Sequence, residues 1–164
     1  MSTRNEKEFL KQVTEHQAIV HKVCHVYCKD EEHRKDLFQE VLIQLWKSYG
    51  SFEGRSRFST WMYRVSLNVV LQYVRKGKVR PAEVALTPAL KNISDQAPDP
   101  AEDDLKLLYN AIDQLNDVEK AIMMLYLDDK SNEEIAEIVG ITQNYVRVRM
   151  NRARQKLKKI LNPQ

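Results

Sequence analysis

His21–Cys28, HKVCHVYC, holds two imidazoles and two thiols at i, i+3, i+4 and i+7. Thiolate and imidazole are good zinc ligands. That spacing sets His21, Cys24, His25 and Cys28 along one side of a single helix. There they span more than one turn and are poorly placed to close a tetrahedron around one ion. A second segment would be needed, and His33 contributes only by folding back. Cys24 shares an apolar stripe with Tyr27, and small buried Cys is common. The reading is core packing, with no metal and no cofactor, and a thiol redox or metal switch is the alternative. The two Cys are also a poor disulfide pair within one helix, consistent with a reducing cytoplasm.

Two other stretches point to polyanion chemistry. NEEIAEIVGITQNYVRVRMNRARQKL, residues 132–157, carries three acids and no base up to Gly140, then five bases and no acid. Ser131 or Asn132 can cap a first helix, with Glu133 and Glu134 at its positive end. Gly140 suits a left-handed turn, and Thr142 can cap a second helix. Ile135, Ala136 and Val139 face inward, Ile141 plugs the core, and Val146, Met150, Ala153, Leu157 and Ile160/Leu161 form an apolar stripe. Gln143, Asn144, Arg147, Asn151 and Arg154 lie mainly opposite, flanked by Arg149, Arg152 and Lys156. Amides and Arg in the opening turns can reach base edges, while the later cations can neutralise phosphates. This is the grammar of a helix-turn-helix; a solvated basic helix in a bundle is the alternative.

The second stretch is GSFEGRSRFS and the helix after it. Phe52, Arg55, Arg57, Phe58 and Trp61 place three rings and two cations close together there. Trp61 fits core packing equally well. Arg64, Asn68, Gln72 and Arg75 then recur at i, i+4, i+8 and i+11 as a polar seam on an apolar helix.

The elements that position these residues read as helices throughout. The chain has 164 residues with only four Gly and five Pro, which argues for long helices. Helices are expected at about 5–28 (an Asn5/Glu8 capping box), 32–49, 60–76, 104–115, 117–128, 132–139 and 143–161. No segment alternates like a strand. The fold class is all-α: helical domains at 5–76 and 104–161 joined by a Pro-rich acidic linker, 77–103, expected to be flexible. Net charge runs +6 over residues 1–80, −5 over 81–104, −5 over 105–140 and +7 over 141–164. Two basic surfaces separated by acidic sequence fit two contacts with a polyanion. No run has the eighteen or so apolar residues of a membrane span. The N-terminus lacks the apolar core of a secretory signal, so a soluble cytoplasmic protein is expected.

AIDQLNDVEKAIMMLYLDDKSNEEIAEIVGITQNYVRVRMNRARQKLKKIL resembles region four of the sigma-70 family, the bacterial RNA polymerase initiation factors. DLFQEVLIQLWKSYGSFEGRSRFSTWMYRVSLNVVLQYVRK, residues 36–76, looks like region two. Both in this order, on a short acidic linker, resemble the extracytoplasmic-function (ECF) subfamily. The resemblance implies a sigma factor that binds core RNA polymerase, reads −10 and −35 promoter elements, and helps open the duplex. It implies no catalytic residues, since phosphodiester chemistry belongs to the polymerase.

By the resemblance, Asp36, Gln39, Glu40, Ile43 and Lys47 dock on the polymerase clamp helices. In the helix they make a face opposite the apolar stripe, where an exposed Ile among polar groups suits an interface. The resemblance assigns −10 reading to Phe52, Arg55, Arg57, Phe58, Trp61, Arg64, Asn68 and Arg75. The −35 element falls to Gln143, Asn144, Arg147, Arg149, Arg152 and Arg154. An anti-sigma protein is a common partner in the subfamily. Asn116 replaces a frequent Pro, and Gln72 a frequent acid. A free-standing helix-turn-helix regulator would explain only the C-terminus, and a metal-dependent enzyme only the His/Cys cluster.

Overall fold

The structure, a computed structural model, describes residues 3–52, 54, 56–77 and 100–163. All the regular structure among these residues is helical, and the chain divides into two compact units, Met1–Val79 and Arg80–Gln164. Arg55 and most of the stretch read as a linker lie outside the described residues.

The first unit holds α1 (Thr3–Tyr27), α2 (Glu31–Ser48) and α3 (Phe58–Arg75), with a single 3-10 turn at Tyr49–Ser51. Each helix packs on the other two. Val20, Val23, Cys24 and Tyr27 from α1 meet Leu37, Val41 and Leu45 from α2 and Met62, Tyr63, Leu67 and Val70 from α3, all buried. Each such side chain contributes roughly 1.5–3 kcal/mol by leaving water. The expected Asn5 cap is corrected: α1 already runs from Thr3, so Asn5 lies inside the helix. The cap of α2 is Asp30, whose carboxylate accepts from the Glu32 N–H at 3.2 Å.

The second unit holds α4 (Pro100–Ile112), α5 (Asp117–Leu127), α6 (Asn132–Val139) and α7 (Gln143–Leu161). Helix α4 starts earlier than expected, at Pro100, a residue whose fixed φ suits a first turn. Asn116 caps α5, its side-chain oxygen accepting from the Glu119 N–H at 2.9 Å. Ala121, Ile122 and Leu125 of α5 are buried in the middle of this unit with Ile135 of α6 and Val146 of α7.

Between α5 and α6 the chain turns through Asp129 at φ 61°, a left-handed conformation for a residue with a Cβ. Asp tolerates that region better than most residues, yet Gly adopts it without the Cβ clash. Asp129→Gly is therefore expected to stabilise the second unit by no more than about 1 kcal/mol, because relief of the left-handed strain exceeds the added chain entropy of Gly when unfolded. A thermal melt that shows no gain would mean that the Asp side chain holds the turn.

Candidate nucleic-acid interface

The helix-turn-helix is fixed by its caps. Ser131 Oγ accepts from the Glu134 N–H at 3.1 Å as the N-cap, and the same hydroxyl donates to Glu134 Oε1 at 3.3 Å. Gly140 ends α6 at φ 82°, with its N–H on Ala136 O at 2.8 Å. Thr142 Oγ1 then accepts from the Tyr145 N–H at 3.1 Å and starts α7. Ile135 and Ala136 face inward as expected. The third inward residue of α6 is Ile138, at 2% exposure, while Val139 is only half-buried. Ile141 is half-buried rather than a core plug, and Leu161 at the end of α7 is 41% exposed.

Val146, Met150, Ala153 and Leu157 bury one side of α7. Gln143, Asn144, Arg147, Asn151, Arg152 and Arg154 are exposed. The Arg154 guanidinium lies over the Tyr126 ring, 4.8 Å from its centroid, which limits the directions it can take. Arg149 differs from the rest. It is half-buried, its Nε donates to Tyr145 Oη at 2.9 Å, and a guanidinium nitrogen lies 3.9 Å from Glu119 Oε1.

Glu119 is the residue that sequence reasoning missed. It is fully buried, and its Oε1 accepts from Lys156 Nζ at 2.7 Å and from Asn116 Nδ2 at 2.5 Å. Its place three residues after the capping Asn116 was a visible signal for the local bond. The partners on α7 lie too far along the chain to be read that way.

In the first unit, Arg64, Asn68, Gln72 and Arg75 of α3 are all exposed, so the polar seam is a solvent face. Phe52, Phe58 and Trp61 are half-buried and pack on one another. Centroid separations are 5.7 Å for Phe52–Phe58, 5.1 Å for Phe52–Trp61 and 5.4 Å for Phe58–Trp61. Tyr49 continues the cluster to Phe9, and His16 touches Phe58. Trp61 is thus both packed and partly accessible, which joins the two readings its sequence position allowed. Arg57 is exposed at the start of α3.

On α2, Asp36, Gln39, Glu40, Ile43 and Lys47 are exposed together, opposite buried Leu37, Val41 and Leu45. Ile43 is 49% exposed among these polar groups, and Trp46 beside it is 45% exposed with its ring against Phe9. Between α2 and α3 a cleft of about 470 Å³ runs from Glu40 and Gln44 to Asn68 and Gln72.

The His/Cys stretch disperses. Cys24 and Cys28 are buried, His25 is exposed, and His21 stacks on Phe38 with centroids 4.3 Å apart and planes 15° apart. Burial, then the adjacent Cys28, pushes the Cys24 thiol up to about 12, so it carries a proton at neutral pH. Among the described residues no group of three or more His, Cys, Asp or Glu side chains is arranged to hold a metal ion.

Residues 12–80 match the family model of sigma-70 region 2, and residues 105–157 match that of sigma-70, region 4. The ECF RNA polymerase sigma factor SigW of Bacillus subtilis is 32% identical, over 87% of this chain and 82% of its own. The ECF RNA polymerase sigma-E factor of Escherichia coli is 31% identical, over 78% of this chain and 73% of its own. Among solved structures, the sigma factor RpoE of Bartonella quintana, held by the anti-sigma factor NepR, superposes with a TM-score of 0.72. The match covers 94% of this chain and 97% of that one, at 22% identity. CnrH, in complex with the cytosolic domain of CnrY, gives a TM-score of 0.70 at 19% identity, over 97% of this chain and 90% of that one. At these identities the two structures speak to the fold.

Proposed function

Because the chain belongs to the sigma-70 family of RNA polymerase sigma factors, in its ECF group, we propose a division of labour between its two units. The first binds core RNA polymerase and reads the −10 element. The second reads the −35 element. The observation that carries this is the presence of region 2 and region 4 on one chain, in that order, each with an exposed cationic or amide-bearing helix face. A free-standing helix-turn-helix regulator accounts for only the second match.

In this reading Asp36, Gln39, Glu40, Ile43 and Lys47 form the polymerase contact. Arg64, Asn68 and Arg75, with Arg57 and the Phe52–Phe58–Trp61 cluster, handle the opened −10 strand: rings offer stacking and the cations neutralise phosphate. Arg55 belongs with them by sequence. Gln143, Asn144 and Arg147 read −35 base edges, and Arg152 and Arg154 contact phosphate. The chain acts in the cytoplasm and catalyses nothing itself, leaving phosphodiester chemistry to the polymerase. No helix among the described residues is long and apolar enough to cross a membrane. An anti-sigma factor is a further partner in this reading, in line with the complex of RpoE with the anti-sigma factor NepR.

The test is run-off transcription from a promoter library with core polymerase. Core polymerase plus this chain should initiate at promoters sharing −10 and −35 elements, and neither component alone should. Tight, dimeric promoter binding without polymerase would favour the regulator instead. Ile43→Glu gives a sharper version. An apolar anchor at an interface centre is worth about 2 kcal/mol or more, so affinity for core polymerase should fall roughly thirtyfold. The site is exposed, so stability should change by no more than about 0.5 kcal/mol. Unchanged core binding by Ile43→Glu would remove this face of α2 from the interface.

A further inference from the structure

Lys156 and Arg149 lie seven residues apart on α7, two turns along the helix. Both direct nitrogens at one oxygen, Glu119 Oε1 on α5, at 2.7 Å and 3.9 Å. A carboxylate with no solvent exposure is costly to bury unless cations and donors face it. Here they come to Oε1 from the helix that carries the proposed −35 contacts, while the buried Oε2 has no hydrogen-bond partner. Asn116 adds a third nitrogen to the same oxygen at 2.5 Å, and its own oxygen caps α5 through the Glu119 N–H. The start of α5 is therefore tied to α7 by one hydrogen bond, from Lys156, and by the charge of Arg149 two turns earlier. The apolar contacts of Val146, Met150 and Ala153 resist separation of the helices but tolerate small rotations of α7 about its axis. Such a rotation would carry Asn144 and Arg147 away from the bases they face.

The orientation of Arg149 follows from the same contacts. Its Nε is on Tyr145 Oη at 2.9 Å, and its guanidinium also lies over that ring, 5.2 Å from the centroid. The side chain is 24% exposed, with one guanidinium nitrogen 3.9 Å from the buried carboxylate.

We propose that Glu119 is a positioning residue for promoter reading: its buried carboxylate fixes α7 on α5 through Arg149 and Lys156, and Arg149 serves as that tether instead of contacting phosphate. This revises the −35 role that the sequence suggests for Arg149. It rests on the assignment of α7 to the −35 element.

Glu119→Gln keeps the side chain's shape and one acceptor oxygen but removes the charge that draws in the two cations. The experiment compares promoter binding by reconstituted holoenzymes carrying Glu119→Gln, Arg149→Gln, Arg147→Ala or Arg152→Ala. A −35 substitution series, a −10 series and a salt titration are read for each, with a melt to confirm folding. A base contact that is no longer held in register loses much of its discrimination, so Glu119→Gln should lower the preferred-to-altered −35 ratio at least about fivefold. The −10 preference should not move, a split that general loss of stability would not produce. Arg149→Gln should leave the salt slope as in the parent protein, whereas Arg152→Ala should flatten it by about one counterion.

A folded Glu119→Gln protein with full −35 discrimination would overturn the positioning role. Flattening of the slope by Arg149→Gln would overturn the tether. If Glu119→Gln does not fold at the assay temperature, the Arg149→Gln slope decides. Arg147→Ala separates the two levels: if it also leaves the −35 preference intact, α7 does not read that element and the proposal falls with the assignment. If it relaxes the preference while Glu119→Gln does not, only the positioning role falls.

Discussion

Val146→Asp is expected to unfold the second unit and leave the first one folded. Val146 has no solvent exposure and sits in the first turn of α7, against the inward side of α6 and α5. A carboxylate there replaces an apolar side chain at a fully buried position. It must either stay charged without a partner or take up a proton, and it leaves a polar group unsatisfied in both cases. Such substitutions cost about 3–5 kcal/mol. A helical unit of this size holds only about 0.05–0.15 kcal/mol per residue, so that loss is comparable with its whole stability. The helical circular dichroism of α4–α7 should vanish while that of α1–α3 persists. Limited proteolysis should degrade the C-terminal part and spare a fragment containing α1–α3. Binding to core polymerase through α2 should survive in weakened form, and −35 discrimination should be lost. If both units melt together, they are not separately stable, and the proposed division of labour loses its physical basis.

The parts of this fold that could be read from the sequence are those set by neighbours within a few residues. Ser131, Gly140 and Thr142 each act on backbone groups no more than four positions away, and the bounds of α6 and α7 match the expected ones. The exposure of one side of α2 could be read for the same reason, since every fourth residue of a helix returns to one side. Ile138 and Val139 show where periodicity stops helping. At the last turn of an eight-residue helix either can face inward, and packing on α5 and α7 chooses Ile138. Asn5 looked like a cap because it precedes Glu8 at the right spacing, but a cap needs the chain to leave the helix there, and it does not.

The candidate sites follow the same division. The polar seam of α3 was legible because it lies within one helix. The aromatic cluster was legible as a composition but not as an arrangement. Phe52, Phe58 and Trp61 lie near each other in sequence, yet Phe9 and His16 join them from α1. Glu119 and Lys156 are 37 positions apart, and no local pattern links them. An acid in an acidic stretch reads as solvated surface until the fold buries it. That is why Arg149, one of several similar Arg residues in the sequence, becomes distinct only in three dimensions.

The exposed residues of α7 are expected to divide into readers and positioners when replaced one at a time. Arg152 and Arg154 lie beyond the opening turns, and Arg154 is additionally held over Tyr126. Phosphates are the same at every sequence, so Arg152→Ala or Arg154→Ala should weaken promoter binding about equally across −35 variants. Each should also flatten the salt dependence by roughly one counterion, because one fewer phosphate is neutralised. Gln143, Asn144 and Arg147 sit in the first two turns, exposed beside the Thr142 cap. A side chain there that bonds a base edge loses its partner when either the base or the residue changes. Asn144→Ala or Arg147→Ala should therefore cost roughly 1–3 kcal/mol on the preferred −35 sequence and less on altered ones, which relaxes specificity. The −10 preference should not change, since the proposed division gives that role to α3. The measurement is promoter binding by reconstituted holoenzyme over a −35 substitution series at several salt concentrations. Should Asn144→Ala and Arg147→Ala both keep the parent −35 preference, the opening turns of α7 do not enter the groove. Should either shift the −10 preference, the two units have been assigned to the wrong ends of the promoter.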